Sequence, residues 1–168
     1  MLQHLAAAGP HPEYAEKLQL FGQFVGSWDL QVFAYPREGE RRELSGEWHF
    51  GWVLDGRTVQ DVLITRPVGA GEAQGSKGST VRTYDPEGDR WWIVWQCPPD
   101  REFSTLFARA EGDRIVLDGQ WTLQPLGERR FRWIFSEITP QSFRWQCELS
   151  GDAGRTWRLA EEMFARRR

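Results

Sequence analysis

Lysine is nearly missing from this chain: Lys17 and Lys77 are the two lysines in 168 residues, and the formal net charge is −3. The remaining positive charge is arginine, interspersed with Asp and Glu. No basic field is left to attract nucleic acid or an acidic membrane. The lysine-and-aromatic interleaving of single-strand binders is also missing. Cysteine is scarce, with Cys97 and Cys147 at no C-x-x-C spacing, which excludes a cysteine metal knuckle. Both fall on the beat of bulky apolar neighbours and read as small buried hydrophobes rather than a disulfide. Of the three histidines, His4 and His11 sit in the N-terminal segment and His49 stands apart in a strand, so a multi-histidine metal site is not expected. No glycine-rich phosphate loop opens a helix after a strand, and no Gly-x-Ser-x-Gly elbow occurs. No cofactor is expected. No apolar run approaches the ~20 residues of a membrane helix, and the first ten residues lack the basic start of a secretion signal. A cytoplasmic location is the expectation.

Aromatic residues, by contrast, are abundant: ten tryptophans and ten phenylalanines. Most lie in short alternating runs. In Gly46-Glu47-Trp48-His49-Phe50-Gly51-Trp52-Val53-Leu54 and in Ser142-Phe143-Arg144-Trp145-Gln146-Cys147-Glu148-Leu149, large apolar residues recur at every second position. A period of two places them on one face of a strand. The pattern predicts strands at about 27–35, 43–54, 57–66, 79–85, 90–97, 103–110, 113–121, 129–138, 141–149 and 155–165. Turn chemistry separates most of them, such as Asp55-Gly56, Asp85-Pro86-Glu87-Gly88 and Gly151-Asp152-Ala153-Gly154. Pro67 to Gly78 is the long irregular piece and reads as a loop. Before the strands, Pro12 opens a helix over 12–24, with Tyr14, Leu18, Phe21 and Val25 as one apolar stripe. A meander of about ten strands exposes two edges unless it closes. The fold class predicted is therefore all-β: an up-and-down antiparallel barrel filling a single domain, 1–168, with a short N-terminal helix covering an open end or a patch of the wall.

Gly26-Ser27-Trp28, just after the helix, resembles the Gly-x-Trp signature of the lipocalin and calycin barrels. The run from Gly46 to Val62 and the ending Ser150-Gly151-Asp152-Ala153-Gly154-Arg155-Thr156-Trp157-Arg158 are similar to a bacterial calycin-like family of unknown function. The resemblance spans about residues 20 to 167. It implies a lipocalin-like barrel with a ligand-sized hollow, and no particular substrate. The secretion signal and disulfide of secreted lipocalins are missing, and so is the glycine-rich run of haem-binding nitrobindin-like barrels.

Several residues are candidates for chemistry. Trp28 reads either as a pocket wall or as a plug packed on a C-terminal arginine, Arg166 or Arg167; the plug is favoured. His49 faces away from Trp48 and Phe50, and which of the two sets points inward is open. Asp61 stands in an apolar strand and calls for a partner, with Arg82 in the next strand as the expected one. That pair either fixes register or orients a ligand. Glu137 falls on the beat of Trp133 and Phe135, and Glu161 on the beat of Trp157, Leu159 and Met163. Each glutamate would then face the interior. The expected ligand-binding set is Trp52, Asp61, Arg82, Trp95, Trp133, Glu137 and Trp145.

Three functional readings follow. The first is a binding barrel holding a small, mostly apolar or aromatic molecule. The second is a cyclase or isomerase in which Asp61, Glu137 or Glu161 moves a proton. The third is a structural module or homodimer with no ligand. Nucleic acid and membrane are not expected partners.

Overall fold

The computed structural model describes residues 2–69, 75–121 and 130–168. Ten antiparallel strands follow in chain order: β1 (Gly26–Ala34), β2 (Arg42–Val53), β3 (Thr58–Pro67), β4 (Ser76–Asp85), β5 (Arg90–Cys97), β6 (Glu102–Glu111), β7 (Arg114–Trp121), β8 (Arg130–Ser136), β9 (Ser142–Ser150) and β10 (Arg158–Arg167). Each pairs with the next, and β1 pairs with β10, so the sheet closes into a barrel and has no free edge. The two-residue rhythm is obeyed strictly in β5, where Trp91, Ile93, Trp95 and Cys97 are buried and the residues between them are exposed.

Two helical segments precede the barrel, α1 (Leu2–Leu5) and α2 (Ala15–Gly22), the second entered through a 3-10 turn at Pro12–Tyr14. The first residues are tied down more than their composition suggests. Ala7 N–H donates to Trp52 O at 2.9 Å and Leu54 N–H donates to Leu5 O at 3.0 Å, which holds the segment against the β2–β3 turn. Because successive strands alternate direction, the β2–β3, β4–β5, β6–β7 and β8–β9 turns share one end of the barrel, and α2 covers that end. Leu18 and Phe21 of α2 and the following Phe24 are all but fully buried inside it. Gly22 permits the close approach: a Cβ there would lie 2.4 Å from the Trp52 ring. Trp52, expected in a ligand site, is instead part of this helix seal.

Trp28 completes the seal. Its indole N–H donates to Phe24 O at 2.7 Å, and the Arg167 guanidinium lies 4.0 Å from its ring centroid. The same guanidinium donates to Val25 O, Gln23 O and Pro140 O at 2.7–2.8 Å, joining the helix exit, β1 and the β8–β9 turn. An Arg167→Ala variant is expected to lose about 1–2 kcal/mol by chemical denaturation, from the stacking and the charged hydrogen bonds together. Arg167→Lys restores little of that, because an ammonium cannot stack and fork in this way. Equal stability of Lys and Arg at this position would refute the account.

Trp48, Phe50 and Trp52 point inward, and His49 is on the outer wall. There its ring nitrogens meet Ser27 Oγ at 2.9 Å and Glu47 Oε2 at 3.2 Å. Cys97 and Cys147 are free, buried thiols. Among the described residues, no helix is long and apolar enough to cross a membrane.

Candidate ligand cavity

The other half of the barrel, away from α2, is less completely filled. A cavity of about 240 Å³ lies there among inward side chains of β2, β3, β4, β5, β6, β8, β9 and β10. Four indoles, Trp48, Trp95, Trp133 and Trp145, form most of its wall, and Leu63, Leu149, Ala160 and Met163 fill between them. The rings meet edge to face. Trp95 and Trp133 have centroids 5.8 Å apart at 83°, Trp133 and Trp145 are 5.5 Å apart at 60°, and Trp48 and Trp145 are 6.1 Å apart at 87°. This is the arrangement that aromatic quadrupoles prefer. Gly78 makes room for one of them, since a Cβ there would lie 2.1 Å from the Trp95 ring.

The polar groups of the cavity are few and poorly paired. The indole N–H groups of Trp48 and Trp145 and the hydroxyl of Thr80 are buried with no hydrogen-bond partner among the described residues. Two carboxyls also line it. Glu102 accepts from the Trp95 indole N–H at 2.9 Å. Burial pushes the Glu102 carboxyl up, the Trp95 hydrogen bond lowers it in part, and Asp100 adds to the rise. Glu161 makes no hydrogen bond or ion pair among the described residues. It keeps some accessible surface yet is packed closely enough that burial, followed by the charges of Glu102 and Asp100, pushes its carboxyl up to about 7. Burial also raises the Cys147 thiol, which therefore stays protonated.

A bulge precedes Glu161. The β9–β10 register runs Leu159 with Glu148, then Glu161 with Cys147, passing over Ala160. Glu148 is on the outer wall, where it meets Arg132 at 2.5 Å, so Leu159 is outside as well. Glu161 keeps the inner face of Met163, and the extra residue turns Leu159 to the other side. Leu159 and Glu161 thus do not share a face, contrary to the simple beat.

Asp61 and Arg82 do find each other. Both are fully buried, with Arg82 Nη1 2.5 Å from Asp61 Oδ2. Asp61 Oδ1 also accepts the Thr80 backbone N–H at 2.9 Å. The ion-pair contact is close but not aligned as a hydrogen bond, and Arg82 Nε and Nη2 have no acceptor among the described residues. Its guanidinium lies instead over Phe21 at 5.2 Å and Phe50 at 5.3 Å. The pair belongs to the helix-side packing and does not line the cavity.

Glu137 does not face the interior. It follows β8 with a φ of +52°, which breaks the alternation and turns the side chain away from the interior. It is 66% exposed and meets Arg144 at 3.4 Å on the outer wall. Trp95, Trp133 and Trp145 are therefore the members of the expected ligand set that line the cavity. Glu102 was missed because it sits against the Pro98–Arg101 turn. Counting back in twos from Leu106 and Ser104 was the signal that reaches it.

Three larger depressions, of about 480, 540 and 470 Å³, lie elsewhere, one including Trp157 and Arg130, one along α2 and one beside Tyr35 and Arg158. None gathers more than one indole. Among the described residues no group of His, Cys, Asp and Glu side chains could hold a metal ion.

No protein-family model matches the chain, and no curated protein matches it. Solved structures do. The crystal structure of Rv2717c from M. tuberculosis is similar at a TM-score of 0.68 and 15% identity, covering 92% of this chain and 98% of that one. The S-type phycobiliprotein lyase CPES from Guillardia theta is similar at a TM-score of 0.59 and 15% identity, covering 89% of this chain and 91% of that one. At such identities the likeness is one of fold alone.

Proposed function

We propose that the protein is a small-molecule binding barrel whose ligand, mostly apolar or aromatic, sits in the four-tryptophan cavity. The observation that carries this reading is the buried Trp48 and Trp145 indole N–H groups lining that space without partners among the described residues. A buried donor left unpaired costs about 1–3 kcal/mol, a cost a ligand acceptor would remove. Apolar walls with a few convergent polar groups are the usual make-up of a ligand site. The volume, about 240 Å³, limits the ligand. An apolar cavity of about 150 Å³ holds benzene, so one or two rings fit here.

The test is titration with indole and with naphthalene, followed by quenching of tryptophan emission and by native mass spectrometry. Saturable one-to-one binding is expected. Gly78→Ala is expected to weaken it about tenfold, because the new methyl group drives the Trp95 ring into the cavity. Absence of binding by either molecule, or unchanged affinity in Gly78→Ala, would count against the reading.

One observation favours a second reading, a cyclase or isomerase that moves a proton on a shielded ligand. Glu161, with its carboxyl pushed up to about 7, is suited to both taking and giving a proton near neutrality. Asp61 is held by Arg82 and Glu137 is outside, so Glu161 would carry that role. Exchange of solvent deuterium into a bound ligand separates a catalyst from a carrier.

A further inference from the structure

We propose that the cavity takes a small organic cation, an amine or quaternary ammonium on one or two rings, held between the indole faces and the Glu102 and Glu161 carboxyls. The inference rests on the small-molecule reading above and narrows it to a charge class.

The charge inventory of the cavity is one-sided. Glu102 and Glu161 line it, while no arginine, lysine or histidine does so among the described residues. Arg82 is committed to Asp61 on the helix side. The charges that reach Glu161 are Glu102 from β6 and Asp100 from the β5–β6 turn, both acidic. Its partner across β9, Cys147, is a neutral thiol. Half-buried carboxyls beside an apolar lining gain from a compensating cation. Among the described residues the protein supplies none, and a bound cation would.

The walls suit the same class of molecule. Indole is the best aromatic face for a cation, and boxes of aromatic rings are a general solution for quaternary ammonium groups. Trp48, Trp95, Trp133 and Trp145 all line the space and touch one another in successive edge-to-face contacts, which makes the lining rich in indole. The unpaired Trp48 and Trp145 N–H groups add a second requirement. They donate, so the ligand also carries an acceptor, such as a hydroxyl or carbonyl oxygen. An anion meets both carboxyls and is repelled. A neutral ring satisfies the indoles and leaves the carboxyls uncompensated.

Two probes of nearly identical shape separate these cases: (3-methoxyphenyl)trimethylammonium and its neutral isostere 3-tert-butylanisole. Both fit the space for one ring, both carry the acceptor oxygen, and neither ionises further across the range used. Affinities are measured by tryptophan quenching and calorimetry at about pH 8 and about pH 5. At about pH 8 the cation is expected to bind at least about tenfold more tightly than the neutral ether. The preference is expected to shrink at about pH 5, and to be lost at about pH 8 in Glu161→Gln and in Glu102→Gln, with cooperative melting showing that each variant is folded. Equal or tighter binding of 3-tert-butylanisole overturns the cation and leaves the small-molecule reading in place. A preference that survives in both variants also overturns it, since the charge would then be read elsewhere. Failure of both probes overturns the cation too, and the broader reading falls with it only if indole and naphthalene also fail to bind.

Discussion

Replacing Arg82 with methionine is expected to destabilise the barrel by about 3–5 kcal/mol, because it strands the fully buried Asp61 carboxylate without its counter-charge. The reverse single change, Asp61→Asn, leaves the guanidinium without its counter-charge between Phe21 and Phe50 and is expected to cost a similar amount. The double variant Asp61→Asn/Arg82→Met should recover most of the loss. Asn keeps an acceptor for the Thr80 backbone N–H, and Met fills much of the arginine's space beside the two rings. Denaturant melts of the four proteins form a double-mutant cycle, and a coupling of about 2–4 kcal/mol is expected. Additive losses would mean that the two side chains do not depend on each other. The cycle also bears on function. If the pair serves only the packing beneath α2, the double variant binds a ligand as the wild type does, because neither residue lines the cavity.

That division of labour, with a sealed half and a hollow half, was only partly legible in the sequence. The strands were legible because alternation is a one-dimensional signal: each of the ten appears, most within two residues of its expected bounds. The last begins at Arg158 rather than 155. Asp152 draws the preceding residues into a turn, accepting from the Arg155 and Thr156 backbone N–H groups at 3.0 and 2.8 Å. Pairing of Asp61 with Arg82 was legible because a charge in an apolar strand must be answered by a nearby strand. The side each tryptophan occupies within the barrel was not, because period-two patterning tells inside from outside but says nothing of height along the axis. Trp52 and Trp95 look alike in sequence. One abuts Gly22 of the helix and the other lies over Gly78 beside the cavity.

The two glutamates show where the beat holds and where it fails. Glu137 and Glu161 both fall in step with inward apolar residues. Glu161 keeps that step and faces inward with Met163, while a single bulged residue, Ala160, turns Leu159 to the outside. A single residue at φ +52° puts Glu137 outside. Both departures are local backbone events with no composition of their own, and a bulge is a common device for re-aiming a side chain.

Placement inside gives Glu161 a measurable cost. Its carboxyl has an ordinary value of 4.5, carried by the unfolded chain, and about 7 in the barrel. Between those values the folded protein holds a proton that the unfolded chain has released, so stability falls as pH rises through that window and levels off above about 7. The benefit of the neutral acid is fully present below about 4.5. The whole swing is on the order of 3 kcal/mol, less to the extent that water in the cavity solvates the carboxylate. Glu161→Gln keeps the shape and removes the charge. It is expected to match the wild type near pH 4 and to exceed it at about pH 8 by about 1–3 kcal/mol, as read by denaturant midpoints across that range. Other titrating groups move both proteins together, so the difference between the two curves isolates this one carboxyl. A difference that stays flat with pH would place Glu161 in contact with solvent or with a cation. Its claim as the ionisable group at the centre of the cavity would fail with it.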